Sequence, residues 1–277
     1  MLFRSAAGFE RSGETARLHI SYVGYVTEML TVEGERTELG AGVAWIGDPQ
    51  AHSTMTYEEG TLVFEIRDAD TGELLWQLNV PKLGTGKVSD WEFLGICSSP
   101  AVDGDRVYLV TNRCEVICLD VNGMADGNDG PYTDEGQYMA GPGGAPMEVK
   151  GTDADIIWVT NMIDECGVFP HNITSSGILA VGDILYCSTS NGVTYDHTDT
   201  PAPKAPSLVA INRKIAEKPG VTPREMLVGE EGSGLSKRIF HCNWSSPCWG
   251  VSNGKGVVLF GGPDGVIYCF EIGRAHV

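Results

Sequence analysis

The sequence repeats a unit of short apolar strands, and three copies of this unit begin near a Ser-Ser pair. These copies span residues 93–120, 169–195 and 240–271, and a fourth copy at residues 60–80 keeps only the later strands. The strands are rich in Val, Ile, Leu and Tyr, and the Asp-Gly and Asn-Gly pairs are typical of tight β-hairpins. One such unit cannot bury both faces of its sheet, so the copies must stack on one another.

A closed ring of stacked units, a β-propeller, is the simplest way to bury every sheet. A β-solenoid is the alternative, although its repeats are shorter and more uniform. The 36 glycines and 14 prolines agree with many short strands joined by turns. We therefore predict an all-β fold, a β-propeller in which this chain supplies about four blades of a larger ring.

The predicted domain organisation follows from the extent of the repeat. Residues 1–5 and 272–277 are similar to translated sequencing adapter, and they are excluded from the fold prediction. Residues 6–50 are predicted to be an N-terminal segment or a partial blade, and residues 51–270 to contain the blades. Three insertions interrupt the repeat, at residues 122–153, 194–206 and 214–236.

The charge balance argues against one large class of partners. The chain has 37 acidic and 19 basic residues, which gives a formal net charge of −18. Nucleic acids and anionic membrane surfaces are bound by clustered Lys and Arg, which this composition disfavours. The apolar runs of the sequence are strand-sized and too short to cross a bilayer. We therefore expect no nucleic-acid partner and no membrane-spanning segment.

Two histidines lie at similar positions in successive copies of the repeat. His171 and His241 each precede a Ser-Ser pair by four residues. Residues just before the first strand of a propeller blade face the central channel or its mouth. There the two imidazoles, with Asn172, Asn243 and Trp244, can bind a polar ligand. The alternative is that these histidines cap loops or bond the backbone between blades.

The serine pairs and the cysteines are interpreted as structural. Recurrence of the Ser-Ser pair favours a scaffold role in which the hydroxyls bond backbone groups where a strand begins. Cys242 and Cys248 can close a disulfide loop, or hold zinc beside His241. However, zinc sites usually need closer cysteine spacing and a second pair of ligands. Free, buried thiols are the expected state of the cysteines.

The first insertion is acidic and offers hard oxygen ligands. Calcium is one ligand that such side chains bind, and the candidates here are Asp126, Asn128, Asp129, Asp134 and Glu135. Their spacing does not match an EF-hand loop, in which ligands alternate with other residues around a fixed glycine. A solvated loop over one face of the fold is the competing interpretation.

Several of these stretches resemble one known family. The stretches DADTGELLWQ, SSPAVDGDRVYL, CEVICLD and GPDGVIYCFE are similar to the repeat of pyrroloquinoline-quinone-type (PQQ-like) β-propellers, the quinoprotein alcohol dehydrogenase-like superfamily. HNITSSG and HCNWSSP resemble a planctomycete-type bacterial branch of it. The resemblance implies a tryptophan-docking motif that joins neighbouring blades, represented here by Asp68, Thr71, Gly72 and Trp76.

The resemblance leaves three functions open, because the same repeat serves enzymes and scaffolds alike. The leading hypothesis is a non-catalytic binding or assembly scaffold with a protein partner or a small polar ligand. The second is a PQQ- and calcium-dependent alcohol or sugar dehydrogenase. The vicinal Cys-Cys pair of those enzymes has no counterpart in this sequence, so no cofactor is predicted. The third is a carbohydrate-binding propeller that uses Trp91, Trp244 and Trp249 as stacking platforms.

The resemblance also implies an extracytoplasmic location, in the periplasm or at the cell surface.

Overall fold

The computed structural model of the chain describes residues 16–18, 30–32, 61–67, 73–81, 95–171 and 174–271. The segments predicted to be adapter remnants, residues 1–5 and 272–277, lie outside these ranges.

Short strands dominate the described part of the chain. In chain order they are β1 (Ala16–Leu18), β2 (Leu30–Val32), β3 (Thr61–Arg67), β4 (Leu74–Pro81), β5 (Ala101–Asp103), β6 (Arg106–Val110), β7 (Glu115–Asp120), β8 (Ile156–Asn161), β9 (Leu179–Val181), β10 (Ile184–Ser188), β11 (Leu208–Asn212), β12 (Leu227–Glu230), β13 (Cys248–Ser252), β14 (Lys255–Gly261) and β15 (Ile267–Glu271).

Helices in the described ranges are few and short, and they lie between strands. They are α1 (Glu135–Ala140), α2 (Met162–Cys166), α3 (Arg213–Ala216) and α4 (Pro223–Met226), with 3₁₀ turns at Gly123–Ala125 and Leu235–Arg238. None exceeds two turns, so the described region is mostly β, as the repeat predicts.

The strands form antiparallel sheets that succeed one another along the chain. Each sheet is a meander, in which a strand pairs with the strand before and after it in sequence. The described sheets have the orders β5-β6-β7-β8, β9-β10-β11-β12 and β13-β14-β15, with the two-stranded pairs β1-β2 and β3-β4 preceding them. This is the blade-like organisation expected of the repeat. The segment 214–236, predicted as an insertion, contains α4 and supplies β12, the outer strand of its sheet.

One serine in each repeat fixes the first hairpin of its sheet. Ser98, Ser176 and Ser245 each lie three residues before the first strand. Each accepts, at its Oγ, a hydrogen bond of 3.1–3.2 Å from the backbone N–H of the last residue of the second strand. The prediction that the serines bond the backbone is confirmed. The equivalent residue in the second repeat is Ser176, one position later than the alignment of the Ser-Ser pairs suggests.

The serine pairs also connect successive sheets. Ser98 donates from its Oγ to the backbone carbonyl of Ser176 at 2.7 Å. The Gly177 N–H donates to Ser246 Oγ at 2.8 Å, so the second repeat is bonded to the third in the same region. The first strands of the three larger sheets, β5, β9 and β13, are neighbours there. The serines therefore form a hydrogen-bonded seam along one edge of the stacked sheets.

The hydrophobic cores lie between consecutive sheets, and β7 shows why. All six of its residues are buried, because it packs against a neighbouring sheet on both faces. Val116 and Cys118 contact the core shared with β10 and β11. Ile117 and Leu119, which point to the opposite face, contact the core shared with β4. A third core, including Leu208 and Phe260, lies between sheets β9–β12 and β13–β15.

Trp76 joins β4 to the following sheet. Its ring is fully buried, and its Nε1–H donates to the backbone carbonyl of Val121 at 2.8 Å. Gly123 has a φ of +59°, and a Cβ at that position would lie 2.6 Å from the indole ring. The glycine is therefore needed for the close approach of the chain to the ring. Asp68, Thr71 and Gly72, the other members of the predicted docking motif, lie outside the described residues.

Within the described ranges no helix is long and apolar enough to cross a membrane.

Candidate functional site

The segment that follows β10 brings two distant loops together. Residues 190–193 lie between residues 169–171 on one side and residues 241–243 on the other. Backbone hydrogen bonds of 2.8–3.3 Å join the central segment to both loops. Consequently His171 and His241, which come from two different repeats, lie on either side of the same short ladder.

Gly192 allows this close approach. A Cβ at residue 192 would lie 2.6 Å from the His171 Cβ and 2.8 Å from the His241 carbonyl oxygen, both too short for a side chain to fit. The sequence pair Asn191-Gly192 predicts a hairpin turn, and that prediction is wrong, because both residues lie in the extended ladder. The glycine is required here for its small size, whereas Asp103-Gly104 and Asn253-Gly254 do form hairpin turns.

A third histidine, which sequence reasoning did not identify, comes from the insertion at residues 194–206. His197 lies in a tight turn with a φ of +62°. Asp196 holds the turn by accepting hydrogen bonds from the Thr194 and Thr198 hydroxyls, and the Thr194 N–H donates to the Asp199 carbonyl at 2.8 Å. The available sequence signal was a histidine in an insertion between β10 and β11.

The three imidazoles form one group, called here the histidine cluster (His171, His197 and His241). Their ring centroids are 4.4–4.8 Å apart. One ring nitrogen from each histidine lies within 4.8 Å of the others. His171 is buried, His241 is half-buried and His197 is exposed, so the cluster extends from the protein interior to solvent.

His171 is held as a neutral imidazole with one free lone pair. Its Nδ1 lies 2.8 Å from the Val193 carbonyl oxygen, which can only accept, so Nδ1 carries the proton. The other ring nitrogen, Nε2, is buried and has no hydrogen-bond partner. Burial is the main cause that lowers the pKa of His171, and the nearby His241 and His197 lower it further. The result is an uncharged nitrogen acceptor with 0% residue exposure.

His197 and His241 share a hydrogen bond. Their Nε2 atoms are 2.7 Å apart, so one ring donates its proton to the lone pair of the other. Burial lowers the pKa of His241, and the proximity of His197 adds to this effect. Both effects favour a neutral His241 ring at neutral pH, which is the protonation state required of metal ligands and hydrogen-bond acceptors.

Trp244 borders the cluster on the solvent side. Its ring is 38% exposed and lies 4.9 Å from His241, edge to face. Asn243 is buried instead, and its amide donates to the Ser207 carbonyl at 2.6 Å, which ties the loop to the start of β11. Asn172, also predicted at this site, lies outside the described residues.

The acidic insertion brings together only part of the predicted calcium set. Asn128 donates to Glu135 at 3.0 Å, and Asp134 is the N-cap of α1. Asp126 accepts from Asn122, while Asp129 bonds the Asp155 carboxylate through its backbone N–H. Among the described residues the histidine cluster is the group of three His, Cys, Asp or Glu side chains that lie close enough to hold one metal ion. The acidic loop provides no such group of three. The calcium hypothesis for this loop stays a prediction.

All eight cysteines are free thiols, and Cys242 and Cys248 are not paired. Cys242 is buried and donates to the Ser190 carbonyl at 3.0 Å, whereas Cys248 is exposed on β13. Burial raises the pKa of Cys242 to about 12, so this thiol is protonated at neutral pH. The expectation of buried thiols holds for Cys242 but not for Cys248 or Cys269, which are exposed.

Comparisons with known proteins give little further information. No protein-family model matches the chain, and no curated protein matches it. Among solved structures it is similar to the crystal structure of BamB from Moraxella catarrhalis, at 14% identity, with 77% of this chain and 68% of that chain covered and a TM-score of 0.20. That degree of similarity is too low for a function to be transferred.

Proposed function

We propose that this chain is a non-catalytic binding scaffold, a β-propeller of PQQ-like repeats that works outside the cytoplasm. The stacked antiparallel sheets, with cores between them, support the propeller. The repeat resemblance supports the PQQ-like assignment and the extracytoplasmic location.

The observation that supports a binding role is the histidine cluster beside an exposed tryptophan. Two repeats and one insertion converge there, and a buried polar nitrogen with no partner points away from its backbone anchor. Convergent polar groups next to an exposed aromatic ring are typical of ligand-binding sites, and the pKa values of His171 and His241 are both lowered here. The rest of the described surface offers no comparable group of ligand-type side chains.

A dye-linked dehydrogenase assay tests whether the chain is a scaffold or an enzyme. The protein is incubated with pyrroloquinoline quinone and calcium and offered a panel of alcohols and aldoses. We expect no quinone-dependent turnover and no quinone retained after gel filtration. Turnover that depends on the quinone would overturn the proposal in favour of a dehydrogenase.

A carbohydrate-binding role is the second candidate, because Trp244 and Trp249 are both exposed, at 38% and 52%. Exposed indole rings are suitable platforms for sugar stacking. A glycan array with Trp244→Ala and Trp249→Ala separates the two positions. Loss of binding in Trp244→Ala alone would place the sugar at the histidine cluster, and loss in Trp249→Ala alone would place it on β13. An array without any binding would exclude this candidate.

A further inference from the structure

We propose that the histidine cluster binds one divalent transition-metal ion of the Zn²⁺ class through His171, His197 and His241. The proposal names a ligand for the histidine cluster. It shares this site with the proposed binding function and rests on that function in no other way. Neutral imidazole nitrogens are preferred ligands of Zn²⁺, Cu²⁺ and Ni²⁺. Three such nitrogens lie within 4.8 Å of one another here, and a tetrahedral Zn²⁺ site holds its ligand nitrogens roughly 3.3 Å apart.

His171 already has the arrangement that metal-binding histidines require. Such histidines typically donate the second ring N–H to a backbone carbonyl or carboxylate, which fixes the tautomer and directs the free lone pair to the metal. The Val193 carbonyl accepts from Nδ1 here, and Nε2 is left buried without a partner. An unbonded buried nitrogen is costly, because it has lost water without gaining another contact. A metal ion at Nε2 would remove that cost.

The His197–His241 pair can admit an ion with little movement. The two Nε2 atoms are 2.7 Å apart. In a tetrahedral site with Zn–N bonds of about 2.05 Å, ligand nitrogens lie roughly 3.3 Å apart. Binding therefore separates the pair by about 0.6 Å and moves the shared proton from Nε2 to Nδ1 of its ring. His197 lies on an exposed turn that can absorb this shift without disturbing a strand.

The three protein ligands leave room for a fourth. Zinc sites with three protein ligands keep an open position for water or a bound molecule. In the described part of the chain no carboxylate or thiolate completes the group. The exposed edges of His197 and Trp244 place that position within reach of solvent. A ligand with a metal-binding oxygen, nitrogen or sulfur atom and an apolar body would fit both the ion and the indole ring.

Isothermal titration of the metal-free full chain with Zn²⁺ tests the site, and three variants locate it. His171→Asn keeps a side-chain N–H for the Val193 carbonyl but removes the Nε2 lone pair. His197→Ala changes an exposed loop residue and should leave the fold intact. Cys248→Ser is the matched control, because it removes an exposed thiol from the same region without touching the cluster.

We expect one Zn²⁺ per chain in the wild type and in Cys248→Ser. His171→Asn and His197→Ala should each weaken binding by at least about 100-fold, more than the loss of an outer-shell partner. Cobalt substitution provides an independent readout, because an imidazole-bound tetrahedral Co²⁺ has visible absorption bands that should be lost in both histidine variants.

The metal site would be overturned by no Zn²⁺ uptake in the wild type, or by equal affinity in wild type and His197→Ala. Loss of Zn²⁺ binding in Cys248→Ser but not in the histidine variants would also refute it. Glycan binding that depends on Trp244, in a protein that takes up no Zn²⁺, would leave the binding function standing and remove only the metal. Quinone-dependent turnover would remove the scaffold function whatever the Zn²⁺ result.

Discussion

At the scale of single residues, two buried carboxyl groups in and next to the acidic insertion lack full hydrogen bonding. Glu135 is 2% exposed and Asp155 is fully buried, and each leaves one carboxyl oxygen unpartnered. Burial raises the pKa of both groups, and the charge of Asp155 adds to the effect on Glu135. Burial disfavours the charged form of such a carboxyl group relative to the protonated form. Each ionised carboxylate therefore lowers the stability of the fold at neutral pH.

We predict that Glu135→Gln stabilises the protein at neutral pH. The folded-state pKa of Glu135 is raised, so its favourable contribution is complete below the unfolded pKa and is lost as pH rises through the folded pKa. Glutamine keeps the shape and can still accept from Asn128. The urea-unfolding free energy should rise by about 1–2 kcal/mol at pH 7.5 and by much less at pH 4.

Calcium provides the control for this prediction. Destabilisation by Glu135→Gln at pH 7.5 that appears only when Ca²⁺ is present would show that the carboxylate binds the cation. That outcome would contradict the explanation by burial and support the calcium hypothesis for the acidic loop.

At the scale of the structural elements, the serine seam predicts a sharp difference between two adjacent residues. Ser176 is fully buried, and its Oγ accepts from the Ser188 N–H. Ser176→Ala leaves that buried donor unsatisfied and should lower the unfolding free energy by about 1–3 kcal/mol. Ser175→Ala, at a half-buried neighbouring position, should change it by less than about 0.5 kcal/mol.

Urea denaturation of the two variants side by side measures this difference. The reverse order, with Ser175→Ala the more harmful change, would mean that the Ser-Ser alignment of the sequences gives the correct register. Equally small effects in the two variants would show that the hydroxyl of neither serine stabilises the hairpin.

The strands and their turns were predictable because their signals are local. Asp103-Gly104 and Asn253-Gly254 specify hairpins by their own backbone preferences, and the alternating apolar residues specify the strands. The same reasoning fails at Asn191-Gly192, where the neighbouring chains decide the conformation. β12 was missed because its sequence, LVGE, is short and follows a helix without a repeat signal.

The site was predictable only where the repeat marked it. His171 and His241 precede the serines in two copies, which is visible in the sequence. His197 joins them because a turn made by Thr194, Asp196 and Thr198 folds back over the ladder, and such a contact depends on tertiary structure. The two predicted histidines meet beside Gly192, with ring centroids 4.4 Å apart, while their placement at a channel stays a prediction.

At the scale of the whole molecule, every described core is shared by two sheets. Residues of β6 and β7 and residues of β10 and β11 form one core, so neither sheet keeps its apolar face buried when the other is lost. Sheets that share cores are expected to unfold together, because each interface contributes to the stability of both neighbours.

We predict that one substitution in a shared core will destabilise two sheets at once. Leu185 on β10 is fully buried in the core between sheets β5–β8 and β9–β12. Leu185→Ala should cost about 2–5 kcal/mol, because it removes apolar contacts and leaves a cavity. Hydrogen exchange followed by mass spectrometry should then show faster exchange in peptides from β6 and β7 as well as from β10 and β11.

Leu75→Ala, at a position 46% exposed on β4, is the control. It should change neither the unfolding free energy nor the exchange rates of these peptides. Faster exchange confined to β9–β12 would show that the sheets are independent folding units, joined by their serine hydrogen bonds and not by a common core.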